Sequence, residues 1–417
     1  MAFNMVDVNA LNSSSLKAIS EASRLKGQQV VQIQKAALYS LIKSISDNQE
    51  EAEPFYLIDL GVVIRLMDKW NQSLPNVKPF YAVKCNTEPA LLLSLATLGA
   101  NFDCASQAEI ETILGLGVNP DRIVYANPCK SASHIKYAAR VGVNLTTFDS
   151  KQEIDKIKKW HPKCELLLRL KVPSENSSWR SFGNKYGALT EEVASLLQHA
   201  NQAGLKVVGV SFHVGSIASD PQVYHSAIAT ARFAFDTAIK LEMPAMHILN
   251  IGGGFRANPL FDEIGKTVND SVQEFFPDEL TSLTMIAEPG RYFVETAFIL
   301  VTNVIGKRVR GEQIDYWIDD GVHGSFNLGA YDRASLSYKV FPQNEDDLAG
   351  LITSSTIFGL TCDSLDVVVS GCKLPELQVN DLIVFYNMGA YTTAPASKFN
   401  GFNRFDLPTY LVFTSAD

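Results

Sequence analysis

The chain has 417 residues, 46% hydrophobic and 19% charged, enough to bury a large core in two or three domains. Its net charge of -9 excludes nucleic acid as the main partner. No apolar run reaches membrane-spanning length. The start Met-Ala-Phe-Asn-Met-Val-Asp lacks a signal-peptide pattern and is poor in arginine, so a cytoplasmic protein is expected.

Cysteines 85, 104, 129, 164, 362 and 372 show no CxxC spacing and fit reduced thiols. The seven histidines show no paired spacing, so no metal site is expected. Residues 1–28 read as an N-terminal tail. Alternation in Gln28-Gln-Val-Val-Gln-Ile-Gln34 predicts a short strand, and Leu38, Leu41 and Ile42 predict a helix over 36–46. From about residue 53, apolar strands alternate with helical stretches. Eight strands are predicted at 80–84, 101–104, 122–127, 144–149, 165–169, 207–213, 248–252 and 284–288. Helices are predicted at 90–98, 106–116, 132–140, 151–160 and 223–241. Strict alternation implies right-handed βαβ units and a parallel sheet. Eight units fit a closed (β/α)8, TIM-like barrel, with an open doubly wound sheet as the alternative. After about residue 291 the rhythm changes. Strands at 298–307, 314–318, 355–358, 365–369, 381–386 and 410–414 follow without long helices, so a C-terminal all-β domain is predicted. Residues 342–351 read as an acidic surface loop. The expected division is a tail at 1–28, a β domain from 29–52 and 293–417, and a barrel at 53–292.

In such a barrel the active site lies at the C-terminal strand ends. Those ends carry Lys84, Asp103, Asn127, Asp149, Arg169, His213, Gly252-Gly253-Gly254 and Glu288. A strand-end lysine alone is ordinarily a snorkelling side chain. A triple glycine alone is equally a tight turn, and a lone histidine is more often a core residue. Together they read as chemistry. Glycine backbone and Arg291 suit a phosphate, a flat histidine ring suits stacking, and Glu288 suits a ring nitrogen. A lysine amine with these groups points to pyridoxal 5′-phosphate.

The run Pro79-Phe-Tyr-Ala-Val-Lys84-Cys-Asn86 resembles the cofactor-lysine motif of the group IV ornithine/lysine/arginine/diaminopimelate decarboxylase family. The resemblance extends through Asn101-Phe-Asp-Cys-Ala-Ser106, Tyr125-Ala-Asn-Pro-Cys-Lys130, His213-Val-Gly-Ser216, Ile251-Gly-Gly-Gly-Phe255 and Ala287-Glu-Pro-Gly-Arg-Tyr292. It continues in Gly359-Leu-Thr-Cys-Asp-Ser-Leu-Asp366, Asn387-Met-Gly-Ala-Tyr391 and Phe399-Asn-Gly-Phe402. It covers about residues 50–405, with a eukaryotic, plant-like character in Gly306-Lys-Arg-Val-Arg-Gly-Glu312. The resemblance implies a pyridoxal-phosphate barrel plus a β domain, the fold type III arrangement. It implies that Lys84 carries the cofactor and Glu288 meets its ring nitrogen. His213 would stack on the ring, and Asp103 and Arg169 would line the site. Ser216, Gly252, Gly253, Gly254, Pro289, Gly290, Arg291 and Tyr391 would surround the phosphate. Cys362 would control protonation, and Tyr331, Asp332 and Asp363 would read the substrate. It further implies a homodimer in which the Cys362-Asp363 segment serves the partner's site.

The expected activity is decarboxylation of a basic amino acid, L-ornithine to putrescine first. L-Lysine to cadaverine, or both, is the alternative, and a non-catalytic regulatory homologue is the second. Three departures from the family pattern bear on this. Ile217 follows Ser216 where glycine is usual, which predicts a reshaped phosphate loop. Leu360 stands where proline is usual. Arg333 stands where histidine is usual beside Asp332, and either faces the pocket or pairs elsewhere. The chain ends at Asp417 without a long tail after residue 402, so no tail-directed degradation is expected.

Overall fold

The computed structural model describes residues 14–25, 27, 29–172, 178–180, 185–327, 336–341, 352–404 and 406–414. The expectations for Tyr331, Asp332, Arg333 and the acidic loop at 342–351 lie outside the described residues. The chain divides into two compact units. One comprises Leu66–Lys84 and Leu95–Phe293; the other comprises Met1–Arg65, Cys85–Ser94 and Val294–Asp417.

The first unit is a closed barrel of eight parallel strands. They are β1 (Val77–Ala82), β2 (Asn101–Cys104), β3 (Ile123–Tyr125), β4 (Leu145–Phe148), β5 (Glu165–Arg169), β6 (Lys206–Ser211), β7 (Ile248–Asn250) and β8 (Thr284–Ala287). Each pairs with the next, and β8 closes onto β1 through Met285↔Val77 and Ala287↔Pro79. Phe80, Val124, Leu167, Val208, Ile248 and Ile286 form one buried cluster from six of the strands. Bulky side chains pack such a barrel solid, and each contributes about 1.5–3 kcal/mol when fully buried. The intervening helices begin where the strands hand over to polar caps. Ser106 Oγ accepts Glu109 N–H, while Glu109 Oε2 takes Ala105 N–H at 2.6 Å. This reciprocal cap starts helix Gln107–Gly115 directly after β2. Ser150 starts helix Lys151–Trp160 after β4 by accepting Glu153 N–H.

The second unit is built on a mixed sheet, nine-stranded among the described residues. Its path runs Val30–Ile33, Thr409–Thr414, Phe55–Asp59, Phe298–Arg310, Gln313–Ile318, Thr353–Phe358 and Val367–Leu374. Leu382–Tyr386 also pairs with Phe298–Arg310, and Ser337–Phe341 pairs with Leu382–Tyr386. Ile33, Leu41, Ile42, Phe55, Leu57, Val301, Leu382, Val384 and Val412 make its buried core.

Two segments differ from the sequence reading. Residues 1–28 read as a tail, yet Ser14–Leu25 is a helix with Ile19 and Ser20 buried. Phe55–Asp59 falls within the range expected for the barrel, yet it pairs in the sheet with Phe298–Arg310 and Thr409–Thr414. All five of its residues are buried, so it lacks the alternation that marks a half-exposed strand. Among the described residues no helix is long and apolar enough to cross a membrane.

Candidate active site

After the exposed Lys78, β1 is apolar to its end, and the chain then makes a single 3-10 turn over Val83–Cys85. That turn swings Lys84 out of the strand. Its side chain is 43% exposed, and Nζ lies 3.0 Å from Oδ2 of Asp103 on β2. Asp103 faces Ala82 in the strand register and is 1% exposed. Its other oxygen, Oδ1, is buried with no hydrogen-bond partner among the described residues. A buried carboxylate oxygen without a donor is costly, so the site stands ready for one.

Further strand ends converge on the same charges. Arg169 closes β5 and is buried. Burial lowers its pKa, while Glu288, Asp103 and Asp149 pull the other way. His213 follows β6, and its Nδ1 accepts the Gly215 N–H at 3.1 Å. Burial, then the nearby Arg169 and Lys84 cations, hold its pKa well below the ordinary value. The ring is therefore neutral with its proton on Nε2. Glu288 follows β8 at 3% exposure. Burial first, then Asp103, push its carboxyl up to about 7 against Arg169, Lys84 and the bond from Asn250.

The loops are laced by backbone bonds. Glu288 N–H donates to Gly252 O at 2.6 Å, Phe212 N–H to Asn250 O at 3.0 Å, and Ala82 N–H to Pro289 O at 3.0 Å. A Cβ on Gly252 would stand 2.1 Å from Phe212 O, and φ is +64°, so only glycine fits there. Ala218 N–H donates to Gly254 O, which joins the Ser216 loop to the glycine loop. Tyr224 Oη–H donates to Gly253 O at 2.9 Å. After Gly290, the short helix Arg291–Val294 begins, and Arg291 Nε donates to Ser216 Oγ at 3.1 Å. The barrel unit thus brings together Lys84, Asp103, Arg169, His213, Ser216, Gly252, Gly253, Gly254, Glu288, Pro289, Gly290 and Arg291.

Ile217 was expected to reshape this loop. It instead takes φ +58°, the left-handed conformation that glycine would adopt, within a strand (Ser216–Ala218) paired to Ser178–Arg180.

The remaining candidates belong to the sheet unit. Tyr391 has φ +58°, and its N–H donates to Cys85 O at 2.9 Å. Cys362 is a free, exposed thiol whose N–H donates to Asn400 Oδ1 at 2.9 Å. Asp363 Oδ2 lies 2.8 Å from His323 Nε2, and Leu365 N–H donates to its Oδ1. Those two bonds hold the Asp363 carboxyl below its usual range, the backbone bond first. His323 is stacked on Phe399 at 4.2 Å.

Two groups escape a reading by strand ends alone. Asn250 Nδ2 donates to Glu288 Oε1 at 2.6 Å while its Oδ1 accepts Gly252 N–H. It fixes the carboxylate and the glycine turn at once. The only signal for it is a polar residue in the apolar run Ile248-Leu-Asn-Ile, just before the glycines. His323 gives no signal at all, because its link to Asp363 spans forty positions of sequence.

Residues 60–295 match the family model described as pyridoxal-dependent decarboxylase, pyridoxal binding domain. The chain is 51% identical to a chloroplastic ornithine decarboxylase of Nicotiana glutinosa, across 93% of this chain and 91% of that one. It is 42% identical to the ornithine decarboxylase of Rattus norvegicus, across 86% and 80%. Its fold matches the arginine decarboxylase of Paramecium bursaria Chlorella virus, solved with agmatine, with a TM-score of 0.84 and 35% identity, across 90% of this chain and all of that one. A strand-end lysine ion-paired to a buried aspartate, a neutral histidine and a buried glutamate thus stand on one barrel, and the chain belongs to the pyridoxal-dependent decarboxylase family.

Proposed function

We propose that the chain binds pyridoxal 5′-phosphate at the barrel mouth and decarboxylates L-ornithine to putrescine and CO2. One observation carries this reading. An amine (Lys84), a buried carboxylate (Glu288) and a hydroxyl–guanidinium pair (Ser216–Arg291) stand in the segments that follow β1, β6 and β8 of one barrel, with a buried Asp103 oxygen that lacks a donor among the described residues. Those groups fit a molecule with an aldehyde, a ring nitrogen and a phosphate. The 51% identity to an ornithine decarboxylase supports ornithine as substrate.

When bound, the cofactor supplies an electron sink for the pair left as CO2 departs. Lys84 holds it by its amine, and Asp103 fixes Nζ. Glu288 keeps a proton at the ring nitrogen, with Asn250 setting the orientation of its carboxylate. His213, being neutral, offers a flat face without adding charge. Ser216, Arg291, Tyr391 and the glycine backbone take the phosphate. Cys362 governs the proton that reaches the α-carbon. Asp332 and Asp363 read the distal ammonium, since opposite charges attract strongly at a sheltered site. The Cys362-Asp363 segment serves the site of a second copy, so the working enzyme is a homodimer. The protein acts in the cytoplasm; the chloroplastic location of the Nicotiana relative makes the plastid the rival, and a fluorescent fusion separates them.

The test has two arms. Borohydride reduction should fix the cofactor on Lys84, and Lys84→Ala should abolish both fixation and turnover. Decarboxylation rates measured side by side should rank ornithine above lysine and arginine. A single methylene discriminates by only about 10–200-fold, so lysine turnover at a few per cent is compatible. A higher kcat/KM for lysine would replace the ornithine reading, and Arg333→His should then shift preference toward ornithine. Absence of cofactor fixation would sink the enzymatic reading altogether.

A further inference from the structure

Three residues beyond Asp363 stands a carboxylate to which the mechanism gives no task. Asp366 is 2% exposed. Its Oδ1 accepts Val322 N–H at 2.8 Å, and its Oδ2 accepts Thr361 N–H at 3.0 Å and Thr361 Oγ1–H at 2.5 Å. Its backbone closes the same turn: Gly359 N–H donates to Asp366 O, and Asp366 N–H donates to Asp363 O. The fit is tight. A Cβ on Gly359 would stand 2.1 Å from Asp366 Oδ1, and one on Gly321 2.3 Å from it. The carboxylate is therefore wedged between two bare backbone segments. It pins the 359–366 turn, which carries Cys362 and Asp363, to the 321–323 turn, which carries His323. The turn is also held at its base by the Phe358↔Val367 strand pairing, and along its length by the His323–Asp363 contact and the Cys362 N–H bond to Asn400. A carboxylate accepting three bonds holds a turn more firmly than a neutral acceptor holding one.

We propose that Asp366 is a positioning residue: it sets where the Cys362 thiol and the Asp363 carboxylate are presented. It acts through Thr361 and Val322 and touches neither substrate nor cofactor. The inference rests on the roles given to Cys362 and Asp363 in the proposed function. Loss of the clamp should disturb proton delivery and ammonium reading together while leaving Lys84, Asp103, Glu288, Ser216 and Arg291, the cofactor anchors that lie on the barrel, intact.

Asp366→Asn places an amide N–H against donors on Thr361 or Val322. The expected result is a fall in kcat/KM of about 10- to 100-fold, shared between a lower kcat and a higher KM. Cofactor absorbance and borohydride fixation on Lys84 should stay at wild-type levels. Alkylation of Cys362 by iodoacetamide, followed by peptide mass spectrometry in the cofactor-loaded protein, should change in rate by about threefold or more. Thr361→Val removes one bond and should move each readout less, in the same direction; it carries the test if Asp366→Asn does not fold. Unchanged kinetics with unchanged alkylation in a folded variant would overturn the proposal. So would a loss of turnover that merely follows loss of cofactor. A mixture of Lys84→Ala and Cys362→Ala subunits tests the shared-site reading separately. If it regains no activity that reading fails, while Cys362 alkylation in Asp366→Asn still decides the clamp.

Discussion

Ile217 occupies φ +58°, where a β-branched side chain crowds its own backbone at a cost of roughly 1–2 kcal/mol. The loop holds it there because Ser216–Ala218 pairs with Ser178–Arg180 and Ala218 N–H bonds to Gly254 O. Ile217→Gly should relieve the strain, and the added freedom of the unfolded chain should return about 0.4–1 kcal/mol of the gain. The net expectation is a stabilisation of about 0.5–1 kcal/mol in urea unfolding of the cofactor-free protein. A destabilised variant would mean that packing of the half-buried side chain outweighs the strain. Gly252 gives the converse. Gly252→Ala meets both a positive φ and a Cβ 2.1 Å from Phe212 O, whereas Gly99→Ala meets only φ +89° in open space. Gly99→Ala should cost about 1–2 kcal/mol and Gly252→Ala considerably more, read as soluble yield and melting temperature. Equal costs would mean that the Phe212 backbone moves freely. These two positions also mark what a sequence conveys at this scale. The triple glycine reads as a place where a phosphate nears the backbone. That Gly252 must also admit the exit of β6 depends on two segments forty residues apart. The substitution at Ile217 reads as a departure, but whether the backbone or the residue yields depends on its neighbours.

At the scale of elements, buried charge does work that periodicity does not reveal. Lys130 is 3% exposed, and its Nζ reaches Glu153 Oε1 at 2.9 Å and the carbonyls of Asn127 and Thr147 at 2.8 Å each. Lys156 Nζ completes the group by reaching Glu153 Oε2 and Lys130 O, each at 2.5 Å. Helix Lys151–Trp160 is thereby tied to the loop after β3 through two cations and one carboxylate. Burial lowers the Lys130 pKa while Glu153 opposes the shift. Lys130→Met keeps the volume but leaves two carbonyls without their donor and Glu153 with a single cation. Removing one partner of a buried pair costs about 3–5 kcal/mol, and Lys156 should hold the loss to the lower end. Thermal unfolding checks this, and a loss below about 1 kcal/mol would show that Lys156 alone satisfies Glu153. The eight strands and their helices are legible because short apolar runs alternate with stretches whose hydrophobic period is near four. The family motif through Lys130 is equally visible, yet nothing in it separates a structural lysine from a chemical one. Position resolves that: Lys84 stands 43% exposed at a strand end, and the Lys130 head group has no exposure at all. Phe55–Asp59 is one more short buried run, and nothing in its own pattern assigns it to the sheet rather than to the barrel.

Across the whole molecule, buried acids set how stability responds to pH. Burial raises Asp319 to about 7 and Asp320 to about 6, and burial with Asp103 raises Glu288 to about 7. In the unfolded chain these groups release their protons near pH 4. Between pH 4 and 7 the folded chain therefore holds more protons than the unfolded one. Their stabilising contribution is full below pH 4 and is lost as pH rises through 7. His213 and His161, both lowered chiefly by burial, act in the opposite sense: their contribution is lost as pH falls below 6.5. The two sets oppose each other on the acid side, and above pH 6.5 the histidine contribution levels off while that of the acids is still being lost. The cofactor-free protein should thus melt lower at pH 8 than at pH 6.5. Asp319 isolates the cause, since its Oδ1 accepts Asn303 N–H at 2.9 Å and its Oδ2 accepts Asn303 Nδ2–H at 2.6 Å. Asp319→Asn keeps one acceptor for the backbone N–H, and a flip of the Asn303 amide restores the second bond. The variant should match wild type near pH 4 and exceed it above pH 7 by on the order of 2 kcal/mol, with the gap opening between. Melting curves at four or five pH values give the comparison. A gap of constant size would place the effect in packing rather than in the proton that Asp319 retains on folding.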